Sequence, residues 1–280
     1  MLKKIAGCLL VAALLGLGAT AARWRGEYGA FCHNAAPVLM YHSVGPAPED
    51  WPRSLVLKQE LFEEQLAYLK EDGYTLVTVE ELAGRLERKE PVAKYIALSF
   101  DDGYKNNYEV VLPLLRKYGA KASFFVVNND IGKDNYMDEA DIRELLAAGM
   151  ELGSHTFNHT ALGKTATRHL VWELDTSRYY LKKQFDGYIV RTLAYPNGSY
   201  NKVVIEAAKK YGFYRALTGH VGVNSSSTYA RAPLEMYRVT VVDDGDGIDG
   251  FKRRLRQAYF FGFLASKGLD INKIRDLFIE

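Results

Sequence analysis

The sequence predicts an α/β protein built from repeated strand–helix units. Beyond residue 37, strand-like and helix-like segments alternate, which is the pattern of βα units around a parallel sheet. Two polar motifs each follow directly on a strand-like segment, which is where α/β barrels carry their chemistry. The length of 280 residues allows one barrel domain or two small domains.

Composition and periodicity define the order of the elements. Strands are expected near residues 37–43, 75–78, 94–100, 121–127, 150–153, 191–195, 213–218 and 236–242. Helices are expected near residues 58–71, 79–88, 105–118, 138–148, 167–186, 201–211 and 248–260. Seven or eight βα units therefore follow one another along the chain.

Local signals mark the ends of several helices. Phe62, Leu66 and Leu69 have the i, i+4, i+7 spacing of one helix face. Thr78 opens a capping-box pattern that predicts the start of the next helix. Asn201 precedes another apolar helical stretch and is expected to cap it.

The N-terminus has the layout of a secretory signal. Lys3 and Lys4 precede an uncharged run at residues 5–22, and Ala19 and Ala21 offer a small-x-small cleavage site. As a helix, this run would span roughly 27 Å, just short of a hydrocarbon core of ~30 Å. Cleavage and membrane anchoring therefore both stay open, and both predict export.

These observations divide the chain into three parts. Residues 1–22 are a signal peptide or an N-terminal membrane anchor, and membrane attachment would run through residues 5–22. Residues 23–36 are interpreted as a linker, and residues 37–280 as the barrel domain. A formal net charge of +2 gives no electrostatic footprint for nucleic acid, so no nucleic-acid partner is expected.

Two motifs carry the residues for metal-assisted hydrolysis. Asp101 and Asp102 end the strand-like run that contains Ser99 and Phe100, and His155 and His159 form a His-x-x-x-His pair. By itself an Asp-Asp-Gly triplet is usually a turn, and such a His pair is often a helix-surface pair. Two imidazoles and one carboxylate nevertheless make the three-ligand set of a catalytic metal, with the second carboxylate left to act as a base.

The same residues resemble a known family. The segments Ser99–Gly103 and Ser154–His159 are similar to the first two signature motifs of the polysaccharide deacetylases, the NodB-homology group of carbohydrate esterase family 4. Tyr195–Gly198 is similar to the third motif. Val38–His42 and Phe62–Leu69 resemble the branch that includes the poly-N-acetylglucosamine deacetylases.

The resemblance runs from about residue 37 to about residue 242, and it implies a distorted (β/α)7-type barrel. It assigns Asp102, His155 and His159 to a divalent metal and Asp101 to the general base. Two His and one Asp suit Zn²⁺ best, although Co²⁺, Ni²⁺ or Fe²⁺ can occupy such a site.

The sequence departs from the family at the residue that steadies the base. Many members carry an Arg two residues before the Pro of the third motif, and this chain has Ala194 there. Arg191, Arg231 and Arg238 are the candidates to replace it, and the sequence leaves the choice open.

The acid and the oxyanion donor are less well defined. The late Leu-x-His motif of many members is missing, so His42 is expected as the acid or a substrate contact, with His220 as the second candidate. The backbone N–H of Tyr195 is the expected donor to the tetrahedral oxyanion, since Pro196 has no N–H.

The leading hypothesis is an exported metal-dependent enzyme that removes N-acetyl groups from a polysaccharide containing N-acetylglucosamine. Peptidoglycan, poly-β-1,6-N-acetylglucosamine and chitin-like oligomers all fit, and the branch favours the second. One alternative is a catalytically weak carbohydrate-binding or assembly protein on the same fold. Another is a hydrolase of a different non-peptide C–N bond.

Overall fold

The structure is a computed structural model that describes residues 22–272. Its strands, in chain order, are β1 (Ala35–Ala36), β2 (Val38–Tyr41), β3 (Ser43–Val44), β4 (Val56–Leu57), β5 (Thr75–Val77), β6 (Tyr95–Phe100), β7 (Ser123–Val126), β8 (Glu151–Ser154), β9 (Thr192–Ala194), β10 (Arg215–Val221), β11 (Asn224–Ser225) and β12 (Met236–Thr240).

The helices cover the outside and one end of the strands. They are α1 (residues 22–33), α2 (Gln59–Glu71), α3 (Val79–Glu87), α4 (Leu112–Lys117), α5 (Glu139–Ala147), α6 (Thr167–Leu170), α7 (Ser177–Gln184), α8 (Lys202–Lys210), α9 (Ser226–Arg231) and α10 (Gly247–Ser266). Two π-helical turns, Asn107–Val111 and Val171–Thr176, lead into α4 and α7.

Seven parallel strands close into a barrel. Their order is β2, β12, β10, β9, β8, β7 and β6, and β6 pairs back with β2. β5 is an eighth strand that pairs with the first half of β6, where Val77 lies opposite Ala97. The register shifts between Leu217 and Val221 of β10, so the barrel is irregular there. The (β/α)7 barrel predicted from sequence is confirmed.

The strand side chains alternate between the barrel interior and the surrounding helices, as the period of two requires. Val38, Ala97 and Phe125 belong to one buried hydrophobic cluster, to which several barrel strands contribute side chains. Their chain neighbours, such as Leu39 and Leu98, belong to the larger cluster that packs with the helices. Both faces are apolar because a parallel barrel buries both.

A buried carboxylate seals the end of the barrel where the strands begin. Glu151 accepts hydrogen bonds from the hydroxyls of Ser123 and Thr192 and from the N–H of Glu80 at 2.8 Å. Ser123 also accepts from the N–H of Val79 at 2.8 Å, so the first turn of α3 is fixed to β7 and β8. Burial raises the pKa of Glu151. The opposite end, where the strands finish, is left open for a site.

Several predicted helix signals are confirmed. The side chain of Thr78 accepts from the N–H of Glu81 at the start of α3. Asn201 caps α8 by accepting from the N–H of Val204 at 3.0 Å. The helix predicted near residues 105–118 is present from residue 105 to residue 117, with a π turn at Asn107–Val111 that accommodates Pro113, which has no N–H for a regular α-helical ladder.

The segment predicted as a linker at residues 23–36 is helical as far as residue 33. Trp24, Tyr28 and Phe31 have the spacing of one helix face, and their rings lie 5.2, 5.3 and 5.6 Å from the ring of Phe263 on α10. The linker interpretation is therefore wrong for most of this segment, since an aromatic stripe packs it against the barrel domain.

The predicted signal or anchor falls almost wholly outside the described residues, which begin at residue 22. Within residues 22–272, the structure contains no helix with the length and apolar character needed to cross a membrane.

Replacing Gly153 should test the packing of the barrel interior. A Cβ at this position would lie 2.3 Å from Cε1 of Phe125 on the neighbouring strand. Gly153→Ala is therefore expected to lower the free energy of unfolding by about 1–3 kcal/mol through overpacking. Urea unfolding measures the change. Gly29→Ala is the control, because a Cβ at Gly29 meets nothing within 4 Å. Equal stabilities of the two variants would contradict the close contact between Gly153 and Phe125.

Candidate active site and metal centre

The polar residues singled out in the sequence meet at one rim of the barrel. Asp101 follows β6, His155 follows β8 and His42 follows β2. Because the barrel strands run parallel, their carboxyl ends share one rim. Residues that lie far apart in the chain therefore surround one site.

Asp102, His155 and His159 form a compact set of metal-ligating atoms. Oδ1 of Asp102 lies 3.4 Å from Nε2 of His155 and 3.4 Å from Nε2 of His159, and all three ligand atoms lie within 4.8 Å of one another. Ligands held 2.0–2.1 Å from a tetrahedral Zn²⁺ lie roughly 3.3 Å apart. The donor types and the spacing therefore fit such an ion.

A backbone hydrogen bond orients the first histidine. Nδ1 of His155 lies 2.8 Å from the carbonyl oxygen of Ala194. Since a carbonyl only accepts, Nδ1 carries the proton and Nε2 keeps its lone pair for a ligand. Ala194, which lacks the family's Arg side chain, thus still serves the site through its backbone.

The electrostatics of the cluster favour a cation. Burial raises the pKa of Asp102, but its hydrogen bond with His155 and the neighbouring imidazoles hold that pKa well below its usual range. Burial lowers the pKa of His155, yet the Asp101 and Asp102 carboxylates outweigh it, so the net shift is upward. The negative charge of Asp102 between two imidazoles attracts a cation to this rim.

The two ligand loops adopt an unusual backbone conformation. Asp102, Thr156 and His159 have φ of 72°, 68° and 57°, in the left-handed region that side chains with a Cβ seldom adopt. Such strain persists only where surrounding contacts hold it, and it clusters at functional sites. One residue, Glu173, accepts four of the hydrogen bonds that hold the second loop.

Glu173 holds the loop that contains both histidines. Its carboxylate accepts from the N–H of Phe157 at 3.1 Å, from the N–H and side-chain amide of Asn158 at 3.0 Å each, and from the hydroxyl of Thr160 at 2.8 Å. Glu173 is buried in the π turn before α7. The sequence analysis missed it, since one Glu within a helical pattern carries no signal of its partners.

A buried arginine holds the candidate base. Nη1 of Arg238 lies 2.9 and 2.8 Å from the two carboxylate oxygens of Asp101, and both side chains are buried. Nε of Arg238 donates to the carbonyl of Thr218 at 2.8 Å, which fixes the guanidinium. Arg238 therefore occupies the role left open by Ala194.

The other two arginine candidates lie elsewhere. Arg191 pairs with Glu80 at 2.9 Å, at the end of the barrel where the strands begin. Arg231 is exposed at the end of α9. Arg238 lies on β12 and Asp101 directly follows β6. The two residues are 137 positions apart in the sequence, and the fold brings them together.

His42 faces the site and His220 faces a separate cavity. His42 follows β2 at the same rim as Asp101; burial lowers its pKa, and the charges of Asp101 and Asp102 oppose this shift. His220 lines a cavity of about 20 Å³ with residues that include Arg231 and Tyr237, and no metal-triad residue lines it. The geometry thus favours His42.

The expectation for Tyr195 needs correction. Its N–H donates to the carbonyl of Leu217 at 3.1 Å, so pairing with β10 occupies it. The N–H of Gly198 donates back to Tyr195. Between them lie Pro196, which has no N–H, and Asn197, which is exposed with φ 55°. As the second residue of a short 3₁₀ helix, Asn197 has no acceptor within that helix for its N–H.

The centre opens on the surface beside aromatic rings. The His159 side chain is 37% exposed, so one ligand reaches solvent. The ring of Tyr104 lies 4.1 Å from that of Trp51 and 5.3 Å from that of Tyr136. Burial raises the pKa of Tyr104, and the charge of Asp102 adds to the shift, which places this ring beside the metal ligand.

Comparison with known proteins identifies the class to which this fold and site belong. A family model described as polysaccharide deacetylase matches residues 88–216. YxkH of Bacillus subtilis (strain 168), which is named for a polysaccharide deacetylase, is 32% identical over 193 residues, or 68% of this chain. The chain belongs to the polysaccharide deacetylase family. The match spans 66% of YxkH, just under two thirds of its length.

Particular relatives narrow the comparison. The poly-β-1,6-N-acetyl-D-glucosamine N-deacetylase of Staphylococcus aureus (strain MSSA476) is 27% identical over 209 residues, covering 64% of this chain and 72% of that protein. The solved structure of Streptococcus pyogenes deacetylase PplD in complex with acetate superposes with a TM-score of 0.71, at 26% identity, over 81% of this chain and 99% of PplD. The structure of IcaB from Ammonifex degensii superposes with a TM-score of 0.68, at 26% identity, over 76% of this chain and 94% of IcaB.

Removing the Glu173 carboxylate should loosen the metal site. Glu173→Ala frees four donors of the histidine loop and is expected to weaken Zn²⁺ binding by about 10–100-fold. Competition with a chelating dye measures the affinity. Glu206→Ala removes an exposed surface pair with Lys209 and serves as control. A folded Glu173→Ala protein with unchanged affinity would show that the loop does not need this carboxylate.

Breaking the Arg238–Asp101 pair should destabilise the protein, because a buried carboxylate then has no counter-charge. Arg238→Ala is expected to lower the free energy of unfolding by about 3–5 kcal/mol, and adding Asp101→Asn should recover part of that loss. Urea unfolding with chelator present measures the cycle. Arg191→Ala, at an exposed pair, should cost under about 1 kcal/mol. Strictly additive losses at Arg238 and Asp101 would contradict their coupling.

Proposed function

We propose that this chain is an exported, metal-dependent enzyme that hydrolyses the N-acetyl groups of a polysaccharide containing N-acetylglucosamine. One observation carries the proposal: Asp101, held by Arg238, lies beside the cluster of Asp102, His155 and His159 at the open rim of the barrel. A fixed carboxylate next to three metal-ligating side chains is the arrangement for activating a water against an amide.

The metal would be held by Asp102, His155 and His159. Zn²⁺ is the ion that two imidazoles and one carboxylate suit best, with Co²⁺, Ni²⁺ or Fe²⁺ as alternatives set by availability. When bound, the ion supplies Lewis acidity, which lowers the pKa of a water and polarises the acetyl carbonyl.

The residues of the chain have distinct roles in the hydrolysis. Asp101 accepts a proton from the attacking water while a C–O bond forms at the acetyl carbon. The N–H of Asn197, at the rim next to β9, donates to the oxygen that becomes negative. The C–N bond then breaks, and the proton that Asp101 accepted is passed to the leaving nitrogen, with His42 as the group that delivers it. Acetate and a free amine are the products.

A polymer fits this site better than a small amide. The exposed side chain of His159 opens the centre to the surface, whereas a small substrate is usually enclosed in a pocket. The relative from Staphylococcus aureus is named for poly-β-1,6-N-acetyl-D-glucosamine, so this polymer is the first substrate to test. Export rests on the signal-like layout of residues 1–22.

The binding-protein alternative loses its main support. It was motivated by the missing Arg at position 194 and by the missing late His motif. Arg238 supplies the guanidinium to Asp101, and His42 lies among the site charges. The proposal therefore takes its base-holding arginine and its acid from other strands of the barrel.

Acetate release tests the proposal directly. The purified full-length protein, loaded with Zn²⁺, should release acetate from oligomers of β-1,6-linked N-acetylglucosamine. Asp101→Asn should retain the metal and lose at least about a hundredfold in kcat, because a general base typically contributes 10²–10⁴-fold to the rate. His155→Ala should lose the metal as well, because it removes a ligand. Enzymatic acetate assay and metal analysis by mass spectrometry give the two readouts.

The control is His169→Ala, which removes an exposed histidine next to Arg168 and should change neither readout. Turnover by Asp101→Asn near the wild-type rate would refute the base assignment. Full metal content in His155→Ala would refute the ligand set. If the protein binds saccharide but releases no acetate in any metal-loaded form, the binding-protein alternative would be favoured.

A further inference from the structure

Aromatic side chains form an exposed cluster next to the metal loop. The ring of Phe157 lies 5.0 Å from that of Trp172 and 5.5 Å from that of Tyr180, and Tyr180 lies 6.1 Å from Tyr179. We call these four residues the aromatic platform. They come from the histidine loop, the second π turn and α7.

The platform is unusually open to solvent. Trp172, Tyr179 and Tyr180 are 49%, 60% and 41% exposed, and Val171 beside them is 44% exposed. Large aromatic side chains bury most of their area in folded proteins, and grouped exposure marks a surface that meets a partner. The rings contact one another, so the partner meets a preformed surface.

Hydrogen bonds fix the platform to the metal site. Phe157 lies between the ligands His155 and His159. Glu173 follows Trp172 directly and accepts the N–H of Phe157. Trp172 and the histidine loop are thus parts of one hydrogen-bonded unit. The platform therefore keeps a fixed position relative to the loop that carries His155 and His159.

Polar groups at the platform match a sugar. Asn158 follows Phe157, Asp175 lies three residues after Trp172, and both are exposed. A pyranose presents an apolar C–H face for stacking and hydroxyls at its edge for such amide and carboxylate groups. Aromatic side chains with polar neighbours suit ligands that are apolar on one face and polar at the edge.

We propose that the aromatic platform binds sugar residues of the polysaccharide that neighbour the residue being deacetylated. This inference rests on the proposed function and adds to it a specificity: the enzyme acts within a chain and gains affinity with chain length. Trp172 provides the stacking face and Phe157 packs against it, while Oδ1 of Asn158 and the carboxylate of Asp175 accept from hydroxyls at the edge.

The test compares Trp172→Ala with wild type on an oligomer series from disaccharide to hexasaccharide. For wild type, kcat/KM should rise with length. Trp172→Ala should lose about tenfold on the hexasaccharide, mainly through KM, and less on each shorter oligomer. Trp172→Phe should recover part of the loss. Tyr214→Ala is the matched control, because Tyr214 is 62% exposed but lies near Arg191 at the other end of the barrel.

A second measurement separates this inference from the proposed function. Calorimetry with the Asp101→Asn protein measures hexasaccharide affinity without turnover, and adding Trp172→Ala should weaken it about tenfold. An equal loss of kcat/KM at every oligomer length in Trp172→Ala, or no loss of hexasaccharide affinity, would overturn the proposed role of the platform even if wild type releases acetate. Affinity that depends on Trp172 would support the platform even if no acetate is released. Binding of phosphatidylcholine–phosphatidylglycerol vesicles that needs Trp172, with no such effect on oligomers, would assign the surface to lipid instead.

Discussion

Closure of the parallel barrel is the constraint on which the rest of this structure depends. β2 pairs with β6 on one side and with β12 on the other, so the first and last barrel strands become neighbours. Because all of these strands run the same way, their carboxyl ends form one rim. His42, Asp101 and Arg238 then lie together, although they come from the start, the middle and the end of the domain. An open sheet of the same strands would separate them.

The charged groups at the rim form two connected sets with different roles. Arg238 neutralises Asp101 and fixes its orientation through both carboxylate oxygens. Asp102 instead faces the two imidazoles, at a spacing that suits a shared cation. Asp101 and Asp102 are adjacent in the chain but have different partners, because successive side chains at a strand end point to opposite sides. Burying so much charge is tolerated because each group has a partner.

Both π-helical turns in the described chain position residues of this rim. Asn107, in the first turn, donates its side-chain amide to the carbonyl of His42 at 2.8 Å. Glu173, in the second, holds the loop of the metal-ligating histidines and carries the neighbouring Trp172 to the same surface. A π turn widens the helix locally and redirects one side chain, which is why such turns recur at functional sites. The same local distortion thus serves both halves of the site.

The sequence by itself determined the alternation of strands and helices and most element boundaries, because periodicity and capping are local signals. Its contiguous motifs marked the candidate metal ligands and carried the resemblance that implied the barrel. Tertiary structure decided what depends on contacts between distant strands. It selected Arg238 over Arg191 and Arg231, since Arg238 is the one of the three that contacts Asp101. It also engaged the N–H of Tyr195 with Leu217 and packed residues 22–33 against Phe263. Glu173 had no sequence signal at all, because its partners are identified only once the histidine loop folds over it.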